Sequence, residues 1–380
     1  MNTLAARFAA EFPVREHLIY FNHAAVAPIP RRTAQAAQDV LSRQLHQGGA
    51  QYEVWEQGVR RARRAVAELL HADTNEIAFA KNTTHGLIIA AESIPWREGD
   101  NVVTCAIEFP ANVYPWLALE RRGVETRFVG AKQGRVLLDD VVSAMDRRTR
   151  AVALSWVQFS SGFRVDLGKL SALCRERDAY LVIDAIQGLG ALELDLSRYA
   201  VDFLCADGHK WLLAPEGCGV LYVRKQILDT LVPANVGWLS VQNPTDYLDY
   251  HLTLVPKARR FEEGTLNMVG IHALGASVGL LLEAGPPEVE AAVLELTGYL
   301  AEGLRQLGME VTSPRQQGEC SGIITFRPPN GSADDLAAGL AAAGVACVSR
   351  AGNVRFSPHF YNDGAEADRA LEVLRGLTRS

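Results

Sequence analysis

An α/β protein built on a seven-stranded, mostly parallel sheet, with a second, smaller α/β layer at its C-terminal end, is the fold this sequence predicts. Three observations carry that reading. Short apolar runs alternate with helix-period stretches through the central two-thirds of the 380 residues, the pattern of strands covered on both faces by helices. A length of 380 residues at 48% hydrophobic content also exceeds what one core fills, since single cores stop growing near ~250–300 residues. After residue 271 the pattern restarts with shorter strands.

The strands of the large sheet are expected at 76–80, 101–107, 125–130, 151–157, 179–184, 202–206 and 219–223. Each run is rich in Val, Ile, Leu or Phe and bounded by Gly, Pro or charge. Ahead of them, residues 54–70 repeat Trp55, Val59, Ala62, Val66 and Leu69 with arginines between, the period of an amphipathic helix. The smaller layer is expected to hold a helix at 287–307, strands at 321–327, 345–348 and 354–357, and helices near 333–343 and 365–377. Read as domains, residues 1–20 form an N-terminal segment associated with the small domain, 21–270 the large domain, and 271–380 the small one, with a bridging helix at 271–287.

Charge and composition narrow the function. The net charge of −6 comes from 38 basic and 44 acidic residues without a basic tail or a block of like charge, which points away from nucleic acid and anionic membranes. No apolar run approaches the ~20 residues of a spanning helix, and Arg7 and Glu11 stand where a signal peptide would be apolar. A cytoplasmic protein is expected. Six cysteines without a C-x-x-C pair read as reduced, mostly buried thiols, with neither a disulfide framework nor a metal site. The nucleotide fingerprints G-x-G-x-x-G and G-x-x-x-x-G-K-[ST] are absent, as is H-E-x-x-H, and Gly188-Leu189-Gly190 is only a partial match.

The chemistry-bearing residues cluster at predicted strand ends. Gly208-His209-Lys210 leaves one apolar strand and Gly217 to Gly219 enters the next, which places Lys210 in the crevice beyond the carboxyl ends of the strands, where α/β proteins bind ligands. Taken alone, a lysine is most often solvated surface charge. Asp184 ends the run AYLVID. A carboxylate at a buried strand tip either caps the helix that follows or meets a cation, because burying it bare costs several kcal/mol. The ring nitrogen of pyridoxal 5'-phosphate (PLP) is such a cation, and Gln187 is placed to donate to that ring's phenolic oxygen. Asn82-Thr83-Thr84-His85-Gly86 lies between a strand and an apolar helix; its hydroxyls and free N–H groups make a phosphate site or an ordinary helix cap. His209 is a second phosphate candidate.

These pieces occur together in a known group. YFNHAAVAPIP (Tyr20 to Pro30), NTTHG (Asn82 to Gly86), EFPANVYPW (Glu108 to Trp116), IDAIQG (Ile183 to Gly188), DGHKW (Asp207 to Trp211), EEGTLN (Glu262 to Asn267) and VRFSPHFYN (Val354 to Asn362) resemble the class V aminotransferase group of fold-type-I PLP-dependent enzymes, which includes the cysteine desulfurases. The resemblance runs nearly end to end. It implies that Lys210 forms the Schiff base, that Asp184 pairs with the pyridinium and Gln187 meets the phenolic oxygen, and that Thr84 and His209 contact the phosphate with Thr83 and Asp207 beside them. It also implies that Phe109 stacks on the ring where desulfurases carry histidine, and that Arg355 clamps a substrate α-carboxylate, a bidentate task a lysine does poorly. Gly264 and Thr265 resemble the pair that reaches the phosphate from the other subunit, which implies a homodimer with active sites at its interface. His23 is a candidate for the substrate mouth, and Arg350 for a second anion clamp or a surface charge.

The sequence also departs from that group. The desulfurase nucleophile sits on a loop between two C-terminal strands, and the matching stretch here, Ser349 to Asn353, is short and holds no cysteine. Cys347 lies nearby, but the alternation of GVACVS makes it a strand residue, and a buried thiol is a poor nucleophile. Phe159 stands at a place that is polar in desulfurases, and Asp207 at a place that is often serine. Trp55, Trp116 and Trp211 read as packing residues. The expected activity is that of an aminotransferase on a small amino acid; a C–S lyase or an epimerase would use the same first step, and a non-catalytic binding protein is the alternative from another class.

Overall fold

The computed structural model describes residues 3–379 apart from Asp249. In chain order the strands are β1 (Ile19–Tyr20), β2 (Ile77–Ala80), β3 (Asn101–Cys105), β4 (Glu125–Val129), β5 (Thr149–Ser155), β6 (Tyr180–Asp184), β7 (Phe203–Asp207), β8 (Gly219–Val223), β9 (Glu310–Val311), β10 (Ile324–Arg327), β11 (Val345–Ala346), β12 (Val348–Arg350) and β13 (Asn353–Phe356). Seven of them form the large sheet in the order β2-β8-β7-β6-β5-β3-β4. All its pairings are parallel except those of β8, which runs antiparallel to both β2 and β7.

Apart from its edge strand β4, the sheet is buried on both faces, which explains why those strands read as continuous apolar runs. Period-two alternation sends Val152, Leu154, Leu181, Ile183, Leu204 and Ala206 into one core. Ala151, Ala153, Val182, Phe203 and Cys205 enter the core on the opposite face. The helix Met268–Ala284 packs its Ile271, Leu274, Val278 and Leu281 into the first core, against helices Arg31–Gln47 and Tyr52–Leu69.

The bridging helix expected at 271–287 runs Met268–Ala284, and the chain turns into the following helix at Gly285. Gly285 adopts φ 87° and Pro286 opens the next helix, Pro286–Gln306. Proline lacks the N–H that would continue the ladder, and a left-handed glycine is the usual device for turning a chain out of a helix. The helix Arg31–Gln47 was not foreseen, because its apolar positions are few and its surface is rich in Arg and Gln. No single helix among the described residues is long and apolar enough to cross a membrane.

A third core gathers Leu300, Leu304, Phe326, Leu340, Val354 and Phe356 around the four-stranded sheet β12-β13-β10-β9. Phe21 belongs to this core too, and β1 pairs in parallel with β11. The N-terminal segment is thereby tied to the C-terminal layer through Ile19, Tyr20 and Phe21.

Candidate active site

The carboxyl ends of β5, β6 and β7 lie side by side and deliver Ser155, Asp184 and Asp207 to one edge of the sheet. Such an edge is where the open α/β fold places ligands. Three residues past Asp207 comes Lys210. The turn that carries it is closed by Leu213 N–H donating to the Lys210 oxygen at 3.0 Å and Ala214 N–H to the Gly208 oxygen at 2.9 Å. To fold back so tightly, Leu213 takes φ 58°, a left-handed conformation that costs a side-chain-bearing residue ~1–2 kcal/mol. Gly208 is needed for the same closure, since a Cβ there would lie 2.8 Å from both Ala214 Cβ and the Cys218 oxygen.

Lys210 Nζ stands 5.7 Å from the centre of the Phe109 ring. Burial lowers its pKa; the Asp184 charge opposes that shift, while Arg355 and Arg350 add to it. The amine makes no hydrogen bond or ion pair among the described residues. Phe109 is 47% exposed and braced edge-on by Phe159, with ring centres 5.3 Å apart.

Asp184 is 2% exposed and accepts one hydrogen bond, from Ile186 N–H to Oδ1 at 3.0 Å. Its pKa is raised, first by burial and then by the neighbouring Glu108, with Ile186 and Lys210 pulling the other way. One backbone donor is too little for a fully buried carboxylate. Gln187 is also buried, its Nε2 donating to the Ala24 oxygen at 3.0 Å and its Oε1 accepting from Trp211 Nε1 at 3.1 Å. One amide hydrogen of Gln187 is left for a ligand.

Around the start of helix Thr83–Ser93, Thr83 Oγ1 accepts from Asp207 N–H at 2.9 Å, while Thr84 is exposed. Asn82 caps the helix by accepting from His85 N–H at 2.9 Å. His209 Nδ1 lies 2.9 Å from Asp207 Oδ2, at an angle that leaves this buried ring nitrogen without a hydrogen bond.

On the C-terminal sheet Arg355 is 2% exposed. Its Nη1 donates to the Phe159 oxygen at 2.9 Å, its Nε is buried with no partner, and no carboxylate among the described residues pairs with it. Arg350 is exposed and stands two pairs further along the β12–β13 ladder, opposite Asn353, so that its charge and that of Arg355 share one face.

Two expectations are revised by these contacts. His23 does not line a mouth: it is fully buried, Nδ1 bonded to the Ser357 oxygen at 2.8 Å and Nε2 to Tyr361 Oη at 2.7 Å, which leaves no nitrogen for a ligand. Cys347 is half-buried and lies between β11 and β12 rather than within a strand; burial pushes its thiol up to about 12. Gly264 and Thr265 line a cavity with Lys81, His85 and Glu263, apart from Lys210 and Asp184.

One residue escaped the sequence reading altogether. Glu108, directly before Phe109, is 6% exposed and accepts hydrogen bonds from Ser155 N–H at 2.8 Å and Gln158 Nε2 at 2.7 Å. The only available signal was its place in EFPANVYPW, where the aromatic neighbour drew the assignment.

The donor set is suited to PLP. A buried carboxylate short of donors, an amine free of partners, an aromatic face beside that amine and an unpaired buried guanidinium answer a cationic ring nitrogen, a carbonyl carbon, a flat ring and a carboxylate. A model of the family described as Aminotransferase class-V matches residues 19–369. The chain belongs to the class-V aminotransferase family. This family is PLP-dependent, and the class-V chain has the fold-type-I architecture. It is similar to a probable cysteine desulfurase of Pyrococcus abyssi, 29% identical over 97% of this chain and 96% of that one. It is also similar to the uncharacterized aminotransferase YcbU of Bacillus subtilis, 24% identical over 100% and 99% of the two chains. Among solved structures, the apo cysteine desulfurase of Thermococcus onnurineus NA1 matches with a TM-score of 0.89 and 25% identity, covering 98% of each chain.

Proposed function

We propose that this class-V enzyme is an aminotransferase for a small amino acid, with Lys210 as the covalent anchor of PLP and the carrier of the substrate proton. The observation that supports it most is the placement of Lys210: a buried amine with lowered pKa and no ion pair among the described residues, facing the Phe109 ring, which carries no proton. Bound PLP supplies the electron sink that stabilises negative charge at the substrate Cα. Lys210 Nζ takes the proton from Cα, a task that requires a neutral amine, and burial favours that form. Asp184 holds the ring-nitrogen end, Thr83, Thr84 and His209 take the phosphate, and Gln187 offers its remaining N–H to the phenolic oxygen. Arg355 orients the substrate through its α-carboxylate. Gly264 and Thr265, remote from Lys210 within one chain, serve the site of a second protomer in a homodimer.

A second reading, elimination from a sulfur-bearing amino acid, draws on the desulfurase names of the relatives and uses the same residues as far as loss of the Cα proton. A loop nucleophile has little support, because the β12–β13 turn holds no cysteine and Cys347 is held as a thiol. The test is to mix holoenzyme with single amino acids in the absence of an amino acceptor. Transamination converts one cofactor equivalent, moves the visible band toward the ultraviolet, and stops until a keto acid is added. Continuous release of ammonia or sulfide without an acceptor overturns the aminotransferase reading in favour of elimination.

A further inference from the structure

Glu108 connects two parts of the site that are distant in sequence. Its carboxyl lies one residue before Phe109 and is held by the end of β5: Oε1 accepts from Ser155 N–H at 2.8 Å and from Gln158 Nε2 at 2.7 Å, and Oε2 contacts Ser155 Oγ. Ser155 is in turn the register partner of Asp184, and Trp156 N–H donates to the Asp184 main-chain oxygen at 2.9 Å. The loop that bears the aromatic ring is thus fastened to the strand pair that bears the buried carboxylate.

We propose that Glu108 is a positioning residue, a neutral carboxylic acid that staples the Phe109 loop to the β5–β6 edge so that the Phe109 ring and Asp184 are held in one frame. The hydrogen-bond pattern suits the neutral form. Of the three hydrogen bonds of Glu108 to Ser155 and Gln158, the two from N–H groups go to Oε1 and the one at Oε2 is with a hydroxyl, which accepts as readily as it donates. A proton on Oε2 therefore costs no hydrogen bond. An ionised Glu108 would be a buried charge with no cation beside it and with Asp184 nearby, an arrangement that is expensive. In agreement, burial pushes the Glu108 carboxyl up against the pull of its donors.

The proposal rests on the assignment of Asp184 and Phe109 to the PLP site, and its test separates the two. Holoenzyme is prepared as wild type, Glu108→Gln and Glu108→Ala, and the visible circular dichroism induced in bound PLP is recorded together with the PLP dissociation constant. Glutamine reproduces these three hydrogen bonds, with Oε1 accepting both N–H groups and its amide donating to Ser155 Oγ. E108Q is therefore expected to keep the induced band and an affinity within about twofold of wild type. E108A loses most of the band and weakens PLP binding by about 10-fold, the scale of a buried hydrogen-bonded group removed. If E108A does not fold, judged by far-ultraviolet circular dichroism, Gln158→Ala removes one strut and is read in the same way, with a smaller loss. E108A or Q158A indistinguishable from wild type overturns the staple. E108Q failing as badly as E108A overturns its neutral form. A wild-type holoenzyme with no induced band sinks the site assignment and the staple with it.

Discussion

Arg355 and Phe159 are joined by a single hydrogen bond, from Nη1 to the main-chain oxygen at 2.9 Å, and no carboxylate among the described residues answers the guanidinium charge. Burial, then repulsion from Arg350, lowers the Arg355 pKa to about 10. A buried cation without a counter-charge is destabilising by several kcal/mol, a cost that a bound substrate carboxylate would offset under the proposed role.

Replacing Arg355 by Gln should raise KM for the amino acid about 10- to 100-fold, the equivalent of a charge-assisted hydrogen bond worth ~1.5–3 kcal/mol. The visible band of bound cofactor should be retained. Arg355→Lys should recover only part of the loss, because an ammonium cannot make the planar fork. Steady-state kinetics decide the matter: an unaltered KM in R355Q means that the substrate carboxylate goes elsewhere.

Lys210 and Asp184 should separate in their effects. Lys210→Ala should abolish the visible absorbance of lysine-bound cofactor and cut kcat by about 10³-fold, within the range of a lost general base. Asp184→Asn should keep cofactor bound but lower kcat by about 10²-fold or more, since its proposed role is to hold the ring-nitrogen end. Without cofactor, D184N should be at least as stable as wild type, because the change removes a poorly satisfied buried carboxylate. A K210A protein that retains the band, or a D184N protein with full turnover, contradicts the respective role.

The placement of Lys210 and Asp184 near one sheet edge was legible because Asp184 ends one apolar run and Lys210 closely follows another, and strand ends in a parallel sheet share one edge. Glu108 was not, because a glutamate in a loop ordinarily reads as surface charge. Its burial depends on Ser155 and Gln158, 47 and 50 residues away. His23 misled for the same reason: its partners Ser357 and Tyr361 lie more than 300 residues on, and only the folded N-terminal segment brings them together. The break between the bridging helix and the next was legible to within two residues, expected at 287 and found at Gly285.

Gly322 tests how tightly Lys210 is framed. A Cβ on Gly322 would lie 2.4 Å from Trp211 Cη2, and Trp211, next to Lys210, is fully buried with its indole bonded to Gln187. Gly322→Ala should therefore push the ring and destabilise the protein by ~1–3 kcal/mol, the usual cost of overpacking. It should also shift the cofactor band, because the displaced residue adjoins the anchor. Urea unfolding and the absorbance spectrum read the two effects; a variant as stable as wild type shows that the Trp211 ring can yield.

His359 makes stability fall in mild acid. The ring is fully buried, with Nδ1 accepting from Phe360 N–H at 2.8 Å and Nε2 at 3.0 Å from the Trp211 oxygen, to which it donates. A proton on Nδ1 would cost the first of these bonds, and burial lowers the pKa from the ordinary 6.5 to about 4. The unfolded chain therefore takes up a proton below 6.5 that the folded one refuses. Stability is complete above pH 6.5 and is lost as pH falls toward 4, by about 3 kcal/mol from this group. His23, 5.2 Å away between ring centres, is depressed in the same direction and steepens the loss. Because carboxylates add to any acid transition, the decisive measurement is a difference: urea midpoints at pH 7 and pH 4.5 should fall less in His359→Gln than in wild type. Equal falls would mean that His359 is protonated in the folded state as readily as in the unfolded one.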